Sequence, residues 1–118
     1  MSEREFFQGN TKARAVYRII KRVAQGLSGV ETRVSKSQIG FYRKHPFASV
    51  WKPGQYLEGD RPPLVLTIFL HRRDTSGRWK EVVEPQPGRF THHVELNAAV
   101  DVDDEIREWI TEAWREAA

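Results

Sequence analysis

Between Thr11 and Leu27 the apolar residues Ala13, Val16, Ile20, Val23, Ala24 and Leu27 recur every three or four positions, the period of one helix face. At 100° per residue Arg14, Arg18, Lys21 and Gln25 fall opposite that stripe, so the segment predicts an amphipathic helix with a basic outer face. Asn10 stands where an N-cap belongs, and Gly26 and Gly29 supply the stop. From Val30 onward the period is two. Val30, Thr32 and Val34 alternate with charges, and Ile39 and Phe41 alternate with Gln38, Gly40 and Tyr42. After a turn at residues 43–46, Phe47, Ser49 and Trp51 alternate with Ala48 and Val50. The run from Leu64 to Leu70 is apolar at both parities, which predicts a central strand covered on both sides.

Beyond a turn at residues 73–77, Trp79 to Val83 is expected to return beside that central strand as a hairpin. In the last strand Phe90, His92, Val94 and Leu96 share one face and leave Thr91, His93 and Glu95 on the other. The C-terminal segment reads as a helix over 103–116. Asp101 is its expected cap, Asp103, Asp104 and Glu105 crowd its first turn, and Ile106, Trp109, Ile110, Ala113, Trp114 and Ala117 form one stripe.

These elements predict an α+β fold: an antiparallel β-meander of five or six strands, flanked by an N-terminal and a C-terminal helix packed on one face, as a single domain over 1–118. If the helices cover Leu64, Leu66, Ile68 and Leu70, then Val65 and Phe69 point away, joined by some of Tyr42, Trp51 and Trp79. That second face is either a groove, pocket or subunit interface, or is closed by a strand or the 53–63 loop.

Composition adds bounds rather than a reaction. A chain of 118 residues buries roughly two thirds of its unfolded surface, enough for a core without staples. The absence of cysteine excludes thiolate zinc sites, thiol nucleophiles and disulfides, and fits a cytoplasmic location. The N-terminal stretch has no apolar run like that of a signal peptide, and no stretch reaches eighteen apolar residues, so neither secretion by that route nor a membrane span is expected. The net charge of +3 is unevenly divided: residues 1–50 carry ten Lys/Arg against three Asp/Glu, and residues 51–118 carry nine against thirteen. A chain with a pI near 9.4 and a basic half suits an anionic partner such as nucleic acid or another polyanion, and its acidic half limits how far the whole surface can act that way.

Candidate chemistry is sparse. His92 and His93 point to opposite faces of a strand and cannot share a metal, and there is no HxH or HExxH, so no metal site is expected. His92 on the apolar face reads as a hydrogen-bonded core histidine, with a ligand-binding role as the alternative. His93 is expected to be solvated. Nucleophile-elbow and phosphate-loop motifs are missing, and no cofactor is implied. Ser35-Lys36-Ser37 suits an anion or an ordinary turn. The acidic cluster at 101–105 lacks the glycine and terminal glutamate of a calcium loop, and helix capping explains it. The stretch from Ile39 to Lys52 interleaves aromatics with cations, as a base-stacking surface does, without an RNA-recognition signature.

The leading expectation is a non-enzymatic binding module for an anionic partner, through Arg14, Arg18, Lys21, Arg43 and Lys44. The alternatives are a small-molecule or catalytic pocket formed by Lys36, Ser37, Tyr42 and His92, and a structural homodimer.

One resemblance runs almost the length of the chain. It is carried by Phe7 and Gly9, Val16-Tyr17, Gly29-Val30, Lys36-Ser37 with Ile39 and Phe41, Phe47-Ala48 with Val50, and Leu64 with Leu66. Phe90, His92-His93-Val94 with Leu96, Asp104-Glu105-Ile106, and Trp109-Ile110 with Glu112-Ala113-Trp114 complete it. In this order the chain resembles a bacterial family, the domain of unknown function numbered 5655. The resemblance implies a small α+β domain of bacterial origin, found alone or at the end of longer proteins, some of them beside nuclease-like domains. It implies no activity or cofactor. A transport label attached to some members conflicts with the lack of a membrane segment here. Trp114 stands where the family commonly has Tyr, which keeps an aromatic on the stripe.

Overall fold

The computed structural model describes residues 1–55 and 61–118. Its elements are α1 (Glu3–Phe6), α2 (Thr11–Gln25), β1 (Glu31–Val34), β2 (Ile39–Tyr42), β3 (Pro46–Trp51), β4 (Leu64–Leu70), β5 (Glu81–Gln86), β6 (Arg89–Leu96) and α3 (Asp104–Glu116). The six strands form one antiparallel sheet in the order β1-β2-β3-β4-β6-β5. The first four make the expected meander. The expected hairpin between β4 and β5 is not formed: β6 lies between them, and β5 is an edge strand. The chemistry of β5 explains this, because most of its residues are exposed and Pro85 has no N–H to give a second neighbour.

Both helices pack on one face. On β4 the side chains of Leu64, Leu66, Ile68 and Leu70 are fully buried, and the register sets Val50, Ala48, Val94 and Leu96 beside them. Against this layer α2 places Val16, Tyr17, Ile20 and Ala24, and α3 places Ile106, Trp109, Ile110 and Ala113. Tyr17 stacks on Phe41 of β2 at 6.3 Å between ring centroids, and Trp109 packs on Trp79 at 4.1 Å. Trp79 is therefore a core residue rather than a member of the second face. The ends of the helices are tied together where the Trp114 indole N–H donates to the Ser28 carbonyl (2.8 Å).

The caps follow local chemistry. Asn10 Oδ1 accepts from the Ala13 N–H (3.1 Å), as its position predicts. For α3 the cap is Asp103, whose carboxylate accepts from the Ile106 N–H (3.2 Å), rather than Asp101. Asp101 instead accepts from the Asn97 and Ala98 N–H groups and closes the 3₁₀ turn ahead of the helix. The short α1 lies outside the elements expected from periodicity, although its local signal is present: Ser2 and Glu5 form a reciprocal capping box. Both sheet edges are poor templates for edge-to-edge pairing, since β1 has four residues with Glu31 and Arg33 ion-paired along it and β5 carries Pro85. No helix of the described residues is long and apolar enough to cross a membrane.

The inner row of β4 should therefore dominate stability. Ile68→Ala is expected to cost about 2–5 kcal/mol in urea melts, and Val83→Thr on the exposed edge to stay within about 0.5 kcal/mol. Equal effects at the two positions would contradict the placement of the sheet.

Candidate functional site

Among the described residues no helix lies over the sheet's second face, and the register places its residues in rows. One row crosses all six strands as Arg33, Gly40, Ser49, Thr67, His93 and Glu81. The next contains Trp51, Val65 and Glu95. Tyr42 and Trp51 do join this face. Arg33 lies over the Tyr42 ring (4.0 Å to its centroid), and the same ring lies over Gly40, where an added Cβ would sit 2.9 Å from Tyr42 Cε1. Phe69 carries Arg89 over its ring at 4.9 Å. Of the 53–63 loop, one of the closures expected for this face, residues 56–60 lie outside the described residues.

At the centre of the face is a hydrogen-bonded chain of three side chains. The Trp51 indole N–H donates to Thr67 Oγ1 (3.2 Å), and Thr67 Oγ1 lies 2.8 Å from His93 Nδ1. An indole only donates, so it occupies a lone pair of the buried hydroxyl and leaves the hydroxyl proton needing an acceptor. Among the described residues that acceptor is Nδ1, which places the imidazole proton on Nε2. Among the described residues no polar side-chain atom is buried without a partner, so Nε2, which none of them pairs, reaches solvent. His93 is thus half-buried and anchored, a correction to the expectation that it is solvated. A mid-strand histidine flanked by Thr91 and Glu95 gives no sequence signal for this, because the partners come from β3 and β4.

Beside this chain is a groove of about 240 Å³ lined by Trp51, Pro53, Arg61, Val65, Lys80, Glu81, His93 and Glu95. Two cations and two carboxylates stand at its rim around a largely apolar floor.

The residues singled out in the sequence are not brought together. His92 is on the helix-covered face and fully buried. Lys36 and Ser37 are exposed in the β1–β2 turn, where Ser35 Oγ accepts from the Ser37 and Gln38 N–H groups. Four strand spacings separate β1 from β6, roughly 19 Å, so Lys36 and His92 share no pocket. Tyr42 is on the open face, away from both. Of the basic residues, Arg14, Arg18 and Lys21 line the outer face of α2 as expected, but Lys21 Nζ is paired with Glu3 (2.6 Å). Arg43 is committed to α3: it lies over the Trp114 ring (4.0 Å) and donates to the Trp114 carbonyl (3.2 Å). Lys44 is exposed at the tip of the β2–β3 hairpin.

His92 has the surroundings of a structural residue. The Asp74 N–H donates to its Nε2 (3.0 Å), which leaves the proton on Nδ1 to be donated to the Phe90 carbonyl (3.2 Å). Its ring packs on Trp79 at 4.7 Å, and the Trp79 N–H donates to Asp74 (2.8 Å), which is also held by Arg72 (2.7 Å). Burial lowers the pKa of His92, against the partly opposing Phe90 carbonyl and Asp74, and burial lowers that of His93 against the opposing charge of Glu81. Among the described residues no group of His, Asp and Glu is arranged to hold a metal ion.

A family model described as Domain of unknown function (DUF5655) matches residues 3–117. Comparison with curated proteins gives no match, and comparison with solved structures gives none.

Because both imidazoles are held neutral, the unfolded chain takes up protons below its ordinary histidine pKa of about 6.5 that the folded chain refuses. Stability is therefore expected to fall as pH falls below about 6.5, by up to about 1.4 kcal/mol per pH unit for each histidine, until the folded-state values are passed. Urea melts across that window check the slope, and ring-proton NMR checks the two midpoints. Midpoints at or above the ordinary value would contradict it.

Proposed function

We propose that this chain, which belongs to the DUF5655 family, is a binding module for an anionic partner, with nucleic acid the class it suits best and the outer face of α2 the contact. The observation that supports this is a difference in charge pairing. In the second half of the chain Arg72, Arg78 and Arg107 are each engaged by carboxylates, from Asp74 and Glu112, from Asp103 and Glu105, and from Asp104. Arg73, Arg89 and Arg115 make no ion pair with any described residue but stand singly in a loop, on β6 and on α3, whereas on α2 Arg14, Arg18 and Arg22 are three such arginines on one element. Spaced four residues apart, they lie about 6 Å from one another along the axis and drift by only 40° per step. A row of guanidiniums without ion pairs on a rigid element, of which Arg14 alone stands near enough to Glu3 to act on its charge, is a favourable surface for phosphates, which exchange bound counterions for it.

Ion pairing favours a different membership of that row from the one expected from the sequence. Lys21 is neutralised by Glu3 and Arg43 serves α3, so Arg22 takes the place of Lys21 beside Arg14 and Arg18. A cytoplasmic location, suggested by the lack of cysteine, belongs with this reading.

Replacing Arg14, Arg18 and Arg22 together by Gln is expected to abolish retention on a heparin or phosphate matrix at low salt. Folding stability should change by less than about 1 kcal/mol, since exposed charges contribute little. Retention unchanged in a folded variant would leave α2 as a solvated face and overturn the reading.

A further inference from the structure

A separate cavity of about 270 Å³ lies at the Leu70 end of β4, roughly 20 Å along the strand from Leu64, and every residue that lines it is described. Four segments far apart in the sequence meet there: the β2–β3 turn with His45 and Pro46, the end of β4 with Phe69 and, just beyond it, His71, the β5–β6 turn with Arg89, and the last turn of α3 with Glu116. All six of these residues are half-buried or exposed, so an occupant can reach them. The volume falls just short of the roughly 300–1,000 Å³ of sites for drug-sized molecules, so the occupant is smaller than these.

Two of the walls carry opposite charges that do not meet. One oxygen of the half-buried Glu116 carboxylate accepts from the His71 backbone N–H (2.9 Å). The other lies 3.8 Å from His71 Nδ1, beyond hydrogen-bond reach, and has no hydrogen-bond partner among the described residues. The Arg89 guanidinium lies over the Phe69 ring (4.9 Å to its centroid) and makes no hydrogen bond or ion pair with a described residue, so its five N–H donors remain available. Arg89 and Glu116 do not pair with each other. A ligand of one charge would compensate one wall and leave the other charge partly desolvated without a partner, which is costly. A ligand carrying both charges compensates both.

We propose that this cavity binds a small zwitterion of the free amino-acid type, its ammonium group donating to the Glu116 carboxylate and its carboxylate accepting from the Arg89 guanidinium. A planar guanidinium suits a carboxylate in two-pronged contact. His45 and His71 stand at the rim and can donate to or accept from either end of such a ligand. The assignment is independent of the contact on α2, none of whose residues lines the cavity.

The test is a titration of the intact chain with glycine, L-alanine, β-alanine and γ-aminobutyrate, which differ in the spacing of their charges, each to about 10 mM, a range that detects millimolar binding. Acetate and methylammonium, run beside them, carry one charge each. The readouts are the backbone amide signals of His71 and Gly88, both on the cavity wall. At least one zwitterion is expected to shift both signals saturably and to bind at least about tenfold more tightly than acetate or methylammonium. Glu116→Gln keeps an oxygen for the His71 N–H, so the variant is expected to fold, and it should weaken the binding at least about tenfold, as should Arg89→Gln. The variant with Gln at positions 14, 18 and 22 should keep the full response, which separates this site from the one on α2. No saturable shift with any of the zwitterions would overturn the proposal. So would acetate or methylammonium binding as tightly as the best zwitterion, or full affinity in either folded variant of Glu116 or Arg89.

Discussion

Placing both helices on one side of a six-stranded sheet is the constraint on which the rest depends. It makes the inner row of β4 the driest part of the molecule, with Leu64, Leu66, Ile68 and Leu70 fully buried, and leaves the other side of the same strands without a helix. Val65 and Thr67 on that side are nonetheless almost inaccessible, and Thr67 is compatible with burial because Trp51 and His93 satisfy its hydroxyl. The pleat thus separates an apolar layer that supplies stability from a polar and aromatic layer whose geometry is fixed by hydrogen bonds.

Histidine pair 92–93 shows the same separation in two adjacent residues. His92 enters the helix-covered side and becomes a strut: through Asp74 it is connected to Trp79 and Arg72, and through Arg72 to Glu112 on α3 (2.8 Å). That network holds the 71–79 loop against the helix. His93 enters the open side and keeps one nitrogen accessible beside a groove. One register shift would exchange the two roles, so the register of β6 decides which of the two histidines is buried.

Much of the architecture is legible in the sequence because it depends on period. The α2 and α3 stripes, the two faces of β6, the buried run of β4 and the Asn10 cap follow from spacing and local hydrogen bonding. What spacing does not carry is partner choice across the sheet. The order β4-β6-β5 depends on which strand tolerates an edge, with Pro85 as the one local hint, and the meander assumption overlooked it. The candidate site suffers from the same limit. Trp51, Thr67 and His93 are far apart in sequence and meet through the registers of β3, β4 and β6, whereas Lys36 and His92, chosen on local pattern, are placed well apart. Charge followed the same rule: the basic face of α2 was readable, but the neutralisation of Lys21 by Glu3 required α1, and the diversion of Arg43 required the end of α3.

The central claim is that α2 carries the contact for an anionic partner because Arg14, Arg18 and Arg22 form no ion pair with a described residue. Its most direct test is a backbone amide NMR titration with a short single-stranded oligonucleotide at low salt, repeated at high salt. The account predicts shifts concentrated at Arg14, Arg18 and Arg22 and their α2 neighbours that disappear as salt is raised. Shifts that avoid α2, or that persist undiminished at high salt, would contradict it.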